Sequence, residues 1–317
     1  MQAINGIVAG VKLLAGRIAE LRLAAQEGQV LPAFSPGSHI RVVLPDGDSR
    51  AYSLIRFDPL PDVVTQYRIA VQLEPDGTGG SRFMHGLAAG DPVTFEPPQN
   101  DFPLLTDAPA LLLAGGIGIT PMISMAAALT EAEQRFDFHY AGRSKDLMAY
   151  RETLQDHFGD ALHLHFDDTP ASALNLAAVI ATIQTGQHIY ICGPRGMIDA
   201  AKTTAEAAGI ATDRIHVELF DTSATADGDT SFEVELASSG QVFTVPPGQS
   251  IIEVLEDGGV DVMYDCQRGD CGICQVDVIS GTPDHRDVVL SEAERASGKI
   301  MQICVSRAKS PRLVLDI

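Results

Sequence analysis

Of the five cysteines in this 317-residue chain, Cys266, Cys271, Cys274 and Cys304 stand together toward its C-terminal end. The spacing Cys266-x4-Cys271-x2-Cys274, followed by a distant fourth thiol, is the plant-type pattern in which four thiolates hold two irons, a group that moves single electrons. Gly269 and Gly272 fall inside this loop, where the missing Cβ lets backbone N–H groups close on bridging sulfides. Zinc is the alternative occupant, but structural zinc sites favour two paired C-x2–4-C elements, and here the last ligand stands alone. An odd cysteine count with four crowded together fits a metal site in a reducing compartment better than a disulfide framework.

A second constellation could hold a nucleotide. Leu111-Leu112-Leu113-Ala114-Gly115-Gly116-Ile117-Gly118-Ile119-Thr120-Pro121 places a glycine loop between an apolar strand and a helix start, where a pyrophosphate can meet bare N–H groups and the positive helix end. The loop is not G-x-G-x-x-G, because Pro121 replaces the last glycine, and an ordinary tight turn has the same look. His188-Ile189-Tyr190-Ile191-Cys192-Gly193-Pro194 repeats the strand, glycine, helix arrangement, and ligands bind at such strand edges in open α/β sheets. Cys192 alone reads equally as a buried thiol.

A third constellation pairs Arg50-Ala51-Tyr52-Ser53 on a strand with Gly79-Gly80-Ser81 at a helix start, for which Ser81 is the expected N-cap. An arginine fork with a helix N-terminus can cradle a phosphate, and a tyrosine ring can cover a flat aromatic cofactor. Taken alone, the tetrapeptide is also what an exposed strand arginine beside a packed tyrosine looks like. Electron number links the three groups: a nicotinamide gives up two electrons as hydride and a [2Fe–2S] group accepts one, so a chain holding both needs a flavin between them.

The elements that must position these residues follow from periodicity. In the first hundred residues short alternating runs (Arg17–Ala24, His39–Leu44, Tyr67–Leu73, Pro92–Glu96) with turn signals between them read as an antiparallel barrel. From Ala110 apolar strands alternate with helices, which indicates a parallel sheet, with Pro121 and Pro194 expected at the first helical position. Thr222–Thr230 lacks periodicity and reads as a linker. Beyond it come strands at Phe232–Ala237 and Val242–Pro246, a helix from Ser250, the cysteine loop, and a strand from Gln275. The expected class is multidomain α/β plus β, with boundaries 1–103 (barrel), 104–221 (α/β), 222–230 (linker) and 231–317 (cysteine-bearing domain).

Composition sets outer limits. With 45% hydrophobic and 20% charged residues the chain can bury real cores. A formal charge of −20, with no basic stripe, argues against nucleic acid. No run approaches the length of a membrane span and the first residues lack a signal-peptide layout, so no membrane association and a cytoplasmic location are expected.

In their order, R-x-Y-S, G-G-S, G-G-I-G-I-T-P, C-G-P and C-x4-C-x2-C…C, the motifs resemble the phthalate dioxygenase reductase family, which includes vanillate demethylase reductases, over essentially the whole chain. The resemblance implies a ferredoxin-reductase-like flavin-binding barrel carrying FMN, an NAD module, and a C-terminal β-grasp-type ferredoxin that passes electrons to a Rieske-type oxygenase. By motif, Arg50 would hold the FMN phosphate, Tyr52 and Ser53 would contact the isoalloxazine, and Gly80 and Ser81 would close the phosphate site. Gly116, Gly118, Thr120 and Pro121 would form the nicotinamide nucleotide loop, with Cys192, Gly193 and Pro194 beside the nicotinamide. Glu218-Leu219-Phe220 resembles the family's Glu-x-Phe segment, whose phenyl ring would shield the flavin; a strand end with one core aromatic has the same pattern.

Arg143, Ser144 and Lys145 follow the second strand of the α/β region where NAD-selective folds often carry an acid, so the residues by themselves leave NADH against NADPH open while the resemblance favours NADH. A cytochrome P450 or a di-iron hydroxylase is the alternative acceptor, and a redox-sensing module without turnover is the alternative outside enzymes. The intact R-x-Y-S and G-G-I-G-I-T-P pair speaks against the last, since a sensor has no need of a hydride path.

Overall fold

Alternating burial turns the first hundred residues into six antiparallel strands, β1 (Ile4–Ala15), β2 (Ile18–Ala25), β3 (His39–Val43), β4 (Ser49–Ser53), β5 (Gln66–Gln72) and β6 (Pro92–Phe95), in the order β4-β3-β6-β1-β2-β5. Ile55, just beyond β4, donates its N–H to the Arg68 carbonyl on β5 at 2.8 Å and closes the sheet into a barrel. Leu21, Leu23, Ile40, Val42, Tyr67, Ile69 and Phe95 fill its interior. A short helix, α1 (Gly80–Gly86), lies between β5 and β6. β1 has no clean alternation in sequence, since Ile7, Val11 and Leu13 stay exposed on it; pairing with both β2 and β6 makes it a strand.

The computed structural model describes residues 3–26, 29–75, 77, 79–220 and 228–317. They fall into two units, Met1–His216 and Val217–Ile317.

The second sheet runs β7 (Ala110–Gly115), α2 (Ile119–Glu131), β8 (Phe136–Gly142), α3 (Arg151–Phe158), β9 (Leu162–Phe166), α4 (Leu176–Ile180), β10 (His188–Cys192), α5 (Arg195–Ala207) and β11 (Ile215–Glu218), ordered β11-β10-β7-β8-β9. The β10–β7, β7–β8 and β8–β9 pairs are parallel. Central β7 is buried throughout, as a strand covered on both faces must be. The prolines shift from expectation: α2 starts at Ile119, so Pro121 is its third residue, and Pro194 is the N-cap of α5. Both are tolerated because N–H groups of the first turn have no intrahelical partner.

Barrel and parallel sheet share one apolar core, in which Ile18, Ile55 and Phe57 meet Met122, Tyr140 and Phe158. Polar ties reinforce it. Buried Ser124 on α2 donates to the Leu54 carbonyl at 2.7 Å and accepts the Arg56 N–H at 3.0 Å. Tyr150 donates to Glu20 Oε2 at 2.8 Å.

The second unit contains β12 (Phe232–Leu236), β13 (Val242–Val245), α6 (Ile251–Asp257), β14 (Gln275–Ser280), β15 (Pro283–Asp284), α7 (Glu292–Ser297), β16 (Ile300–Gln302), β17 (Arg307–Ala308) and β18 (Arg312–Leu315). Its main sheet, β13-β12-β18-β14-β16, sets β12 parallel to β18 among antiparallel neighbours and packs Ile251, Ile252 and Leu255 of α6 on one face, a β-grasp arrangement. Ser250 and Glu253 form a reciprocal capping box at the start of α6, worth about 1 kcal/mol. Most of the expected linker, residues 222–227, lies outside the described residues. Asp229, which composition assigns to that linker, instead receives Arg286 through both carboxylate oxygens at 2.9 and 2.6 Å. Among the described residues no helix is long and apolar enough to cross a membrane.

Candidate functional site

The cysteine loop between α6 and β14 brings the four expected thiols together. Cys266, Cys274 and Cys304 are buried and Cys271 is half-buried. Cys266 lies within hydrogen-bonding reach of Cys271 and Cys304, and Cys274 within reach of Cys304. Among the described residues no three His, Cys, Asp or Glu side chains are drawn together as donors to one ion. The four thiols form one connected run, Cys271 to Cys266 to Cys304 to Cys274.

Positive φ at Gln267, Gly269 and Gly272 coils the loop. A Cβ on Gly269 would lie 2.6 Å from Val305 Cγ2. The Arg268 N–H points at Cys266 Sγ at 3.3 Å, a donor that favours the thiolate. Hydrogen bonds from Cys271 and Cys304 hold Cys266 well below the usual thiol range, whereas those to Cys266 and Cys274 push Cys304 far up.

Asp270 is not the surface acid its position beside the ligands suggests. Its side chain is 4% exposed and lies 3.3 Å from Arg268 Nε. It accepts the Leu219 N–H at 3.1 Å. Burial pushes its carboxyl up to about 7, with the Arg268 guanidinium opposing and Cys266 adding to the rise. Glu218, also buried, lies 4.0 Å from Arg268. No local pattern marks this triad, because its members act through side chains folded under the loop.

In the first unit, Arg50, Tyr52 and Ser53 lie on β4. Arg50 Nη1 donates to Asp48 Oδ2 at 2.5 Å and to the Ser49 carbonyl at 2.8 Å. Asp48 is held below the usual carboxylate range by that bond, so an incoming anion would compete with it for the guanidinium. A Cβ on Gly80 would lie 2.8 Å from Arg50 Cγ, so only glycine lets the arginine stem cross the start of α1. Ser81 is not the N-cap: Gly79, at φ 106, takes that position, and Ser81 Oγ accepts the Glu74 N–H at 3.0 Å. Burial pushes the Tyr52 hydroxyl up to about 12. Ser53 is buried and its hydroxyl has no hydrogen-bond partner among the described residues. Burying a hydroxyl unpaired costs about 1–3 kcal/mol, so a ligand atom that bonds Ser53 would recover that cost.

The two strand-edge loops interlock. Gly116 has φ +55 in the 3-10 turn that follows β7, and a Cβ on Gly118 would fall 2.2 Å from the Cys192 carbonyl oxygen. One on Gly193 would fall 3.0 Å from the Gly115 nitrogen. Thr120 donates to the Ile117 carbonyl at 3.1 Å and stiffens the turn. Cys192 is fully buried, and Pro194 abuts Gly115, where an added Cβ would meet Pro194 Cδ at 2.7 Å. After β8, Lys145 Nζ lies 5.3 Å from the centre of the Phe166 ring. Phe220, in the second unit, is 37% exposed.

Three histidines on β8 and β9 are clustered. His139 Nδ1 lies 2.9 Å from His165 Nε2, and His139 stacks on His163 with ring centres 4.6 Å apart. Burial first, then these neighbours, pushes His139 down to about 3.

Residues 234–309 match the 2Fe-2S iron-sulfur cluster binding domain, and residues 101–215 match the N-terminal domain of dimethylamine monooxygenase subunit DmmA-like proteins. A tetrachlorobenzoquinone reductase from Sphingobium chlorophenolicum is 41% identical over 325 residues, covering 100% of this chain and 99% of the relative. The vanillate O-demethylase oxidoreductase of Pseudomonas sp. strain HR199 is 40% identical, covering 99% and 100%. The structure of phthalate dioxygenase reductase, described as modular for electron transfer from pyridine nucleotides to [2Fe-2S], superposes with a TM-score of 0.71 at 34% identity, covering 99% of this chain and 98% of that one.

Proposed function

Because the chain belongs to the phthalate dioxygenase reductase and vanillate demethylase reductase family of flavin and iron–sulfur oxidoreductases, we propose that it carries electrons from NADH through FMN and a [2Fe–2S] group to a Rieske-type oxygenase or demethylase in aromatic catabolism. When bound, FMN divides the electron pair of a hydride and the [2Fe–2S] group relays single electrons. The observation that carries this reading is the interlock of Gly118 with Cys192, which builds a nucleotide edge in the same unit as the Arg50 and Ser53 cradle, in a chain that also gathers four thiols.

Each residue then has a physical task. Arg50 supplies a charge-assisted fork to the FMN phosphate, with Gly80 and Ser81 closing the turn around it. Tyr52 covers the isoalloxazine, and the unpaired Ser53 hydroxyl bonds its polar edge. Gly116, Gly118, Thr120 and Pro121 seat the nicotinamide nucleotide, and Cys192, Gly193 and Pro194 form the wall beside its ring. Phe220 shields the flavin. Cys266, Cys271, Cys274 and Cys304 hold the irons. The corresponding domains are 1–103 for FMN, 104–221 for NAD and 231–317 for the ferredoxin, joined by 222–230.

The acceptor is an oxygenase component on the strength of the vanillate-type relatives; its Rieske class belongs to this proposal. A quinone acceptor is a second reading, favoured by the relative named as a tetrachlorobenzoquinone reductase. The test is reconstitution with NADH and, in turn, a purified Rieske oxygenase, a cytochrome P450, a di-iron hydroxylase and a chlorinated benzoquinone. Turnover with the Rieske protein, and FMN identified by mass spectrometry, is the expected result. FAD in the extract, or turnover with the quinone alone, would overturn it.

A further inference from the structure

The buried triad of Arg268, Asp270 and Glu218 joins two stretches that composition and motif reading keep apart. Arg268 and Asp270 belong to the cysteine loop, and Glu218 begins the segment that carries Leu219 and Phe220. All three side chains are at least nine-tenths buried, at 8%, 4% and 2% exposure. The Arg268 backbone N–H is aimed at Cys266 Sγ while its guanidinium reaches both carboxylates. Asp270 completes the link by accepting the N–H of Leu219, a residue that is itself fully buried.

Charges so deeply buried cost several kcal/mol each unless paired. Two carboxylates lie beside one guanidinium, with a backbone donor on the second, and these contacts tie the loop to the segment. A purely structural salt bridge would not need the Leu219 N–H. That bond fixes the backbone one residue before Phe220, so the loop that holds the thiols also sets where the phenyl ring is presented.

We infer that Asp270 and Arg268 are positioning residues that clamp the Glu218–Phe220 segment onto the thiol loop, so that Phe220 is correctly presented only when this loop is closed. The consequence for electron transfer rests on the flavin-shielding role proposed for Phe220; the clamp itself does not.

The test is amide hydrogen exchange at Leu219 in the full, cluster-loaded chain, with visible absorbance to report cluster retention. Asp270→Ala should speed Leu219 exchange at least about tenfold, the effect of losing one buried hydrogen bond to a charged acceptor. Asp270→Asn keeps an acceptor oxygen and should stay within about threefold of the parent. In stopped flow, Asp270→Ala should slow cluster reduction by NADH while NADH-to-ferricyanide turnover holds, a split that a general loss of stability would not produce. Parent-like Leu219 exchange in Asp270→Ala would overturn the clamp. If that variant does not retain its cluster, Asp270→Asn decides: loaded protein exchanging Leu219 at the rate of an unprotected peptide would overturn it equally. Phe220→Ala separates the two readings. Unchanged turnover with unchanged Leu219 protection would remove the role of Phe220 and leave the clamp standing.

Discussion

Gly118 sits so close to Cys192 that an added Cβ would come within 2.2 Å of the Cys192 carbonyl oxygen. This backbone contact joins the loop after β7 to the loop after β10, the edge proposed to seat the nicotinamide nucleotide. Gly118→Ala must push the loops apart, and misplacement of about 1 Å at a reacting centre costs on the order of 100-fold in rate. NADH-dependent ferricyanide reduction should therefore lose about two orders of magnitude in kcat/KM. Flavin content should be retained, because Arg50 and Ser53 lie on a different strand. Activity within a few-fold of the parent would show that the close approach is incidental.

Cys271 is the most exposed of the four thiols, half-buried where the others are buried. Cys271→Ser should abolish the red-brown cluster absorbance and electron delivery to the oxygenase. Ferricyanide takes electrons from flavin directly and should still be reduced. Loss of both activities with flavin still bound would show that the path is not divided in this way.

Residues 231–317 carry 14 Asp and Glu against 7 Lys and Arg, and a plant-type cluster with four thiolates adds about −2 when oxidised. Glu253, Glu256, Asp257, Asp261 and Asp265 are exposed on α6 and on the stretch leading into the thiol loop, and Met263 and Ile273 are exposed as well. Steering by such charges is screened over about 10 Å at 0.1 M salt and acts on association rate. Electron transfer to the oxygenase should slow as salt rises from about 0.02 to 0.5 M, with flavin-to-cluster transfer unchanged. Asp261→Lys should flatten that dependence. Asp270 is unsuitable for the test, since its charge is buried against Arg268. A parent rate already flat across this range would leave docking to Met263 and Ile273.

The histidine cluster on β8 and β9 makes the first unit sensitive to acid. His165 Nδ1 donates to the Ser172 carbonyl at 3.3 Å, which leaves its Nε2 to accept from His139 Nδ1 at 2.9 Å. Protonating this pair sets two N–H groups against each other. His139 is pushed from 6.5 down to about 3 in the fold, and His165 is lowered as well. The unfolded chain therefore binds more protons between these values, so stability is full above about 6.5 and is lost as pH falls toward about 3. His139→Phe keeps the ring and removes the titration. Between pH 7 and 5 the parent should lose about 1 kcal/mol more than this variant, the partial exposure of His139 reducing the effect. Thermal melts of equal slope against pH would contradict this.

Much of the molecule was legible because it is written in local spacing. Cys266, Cys271 and Cys274 lie in one loop, so their chemistry is visible without a fold, and Ser250 with Glu253 announces a helix start within four residues. The alternation of β2, β3, β5 and β6 and the apolar runs of β7 and β10 likewise follow from which faces are buried. β1 was missed because it is exposed along much of one face, so its identity as a strand comes from its partners. Ser81 and Pro121 were misplaced by a residue or two, since helix ends depend on the turn that precedes them: here the positive φ of Gly79, and the 3-10 turn through Gly118.

What the sequence by itself determined is the set of motifs and their order along the chain: R-x-Y-S, G-G-S, two strand-edge glycine loops and a C-x4-C-x2-C run with a distant fourth cysteine. The tertiary structure alone decided which distant residues meet. It brings Gly118 against Cys192, ties Ser124 to Leu54, stacks His139 between His163 and His165, and folds Asp270 inward onto Leu219. These relationships depend on sheet order and on the direction each side chain takes from its backbone, and neither is expressed in spacing along the chain.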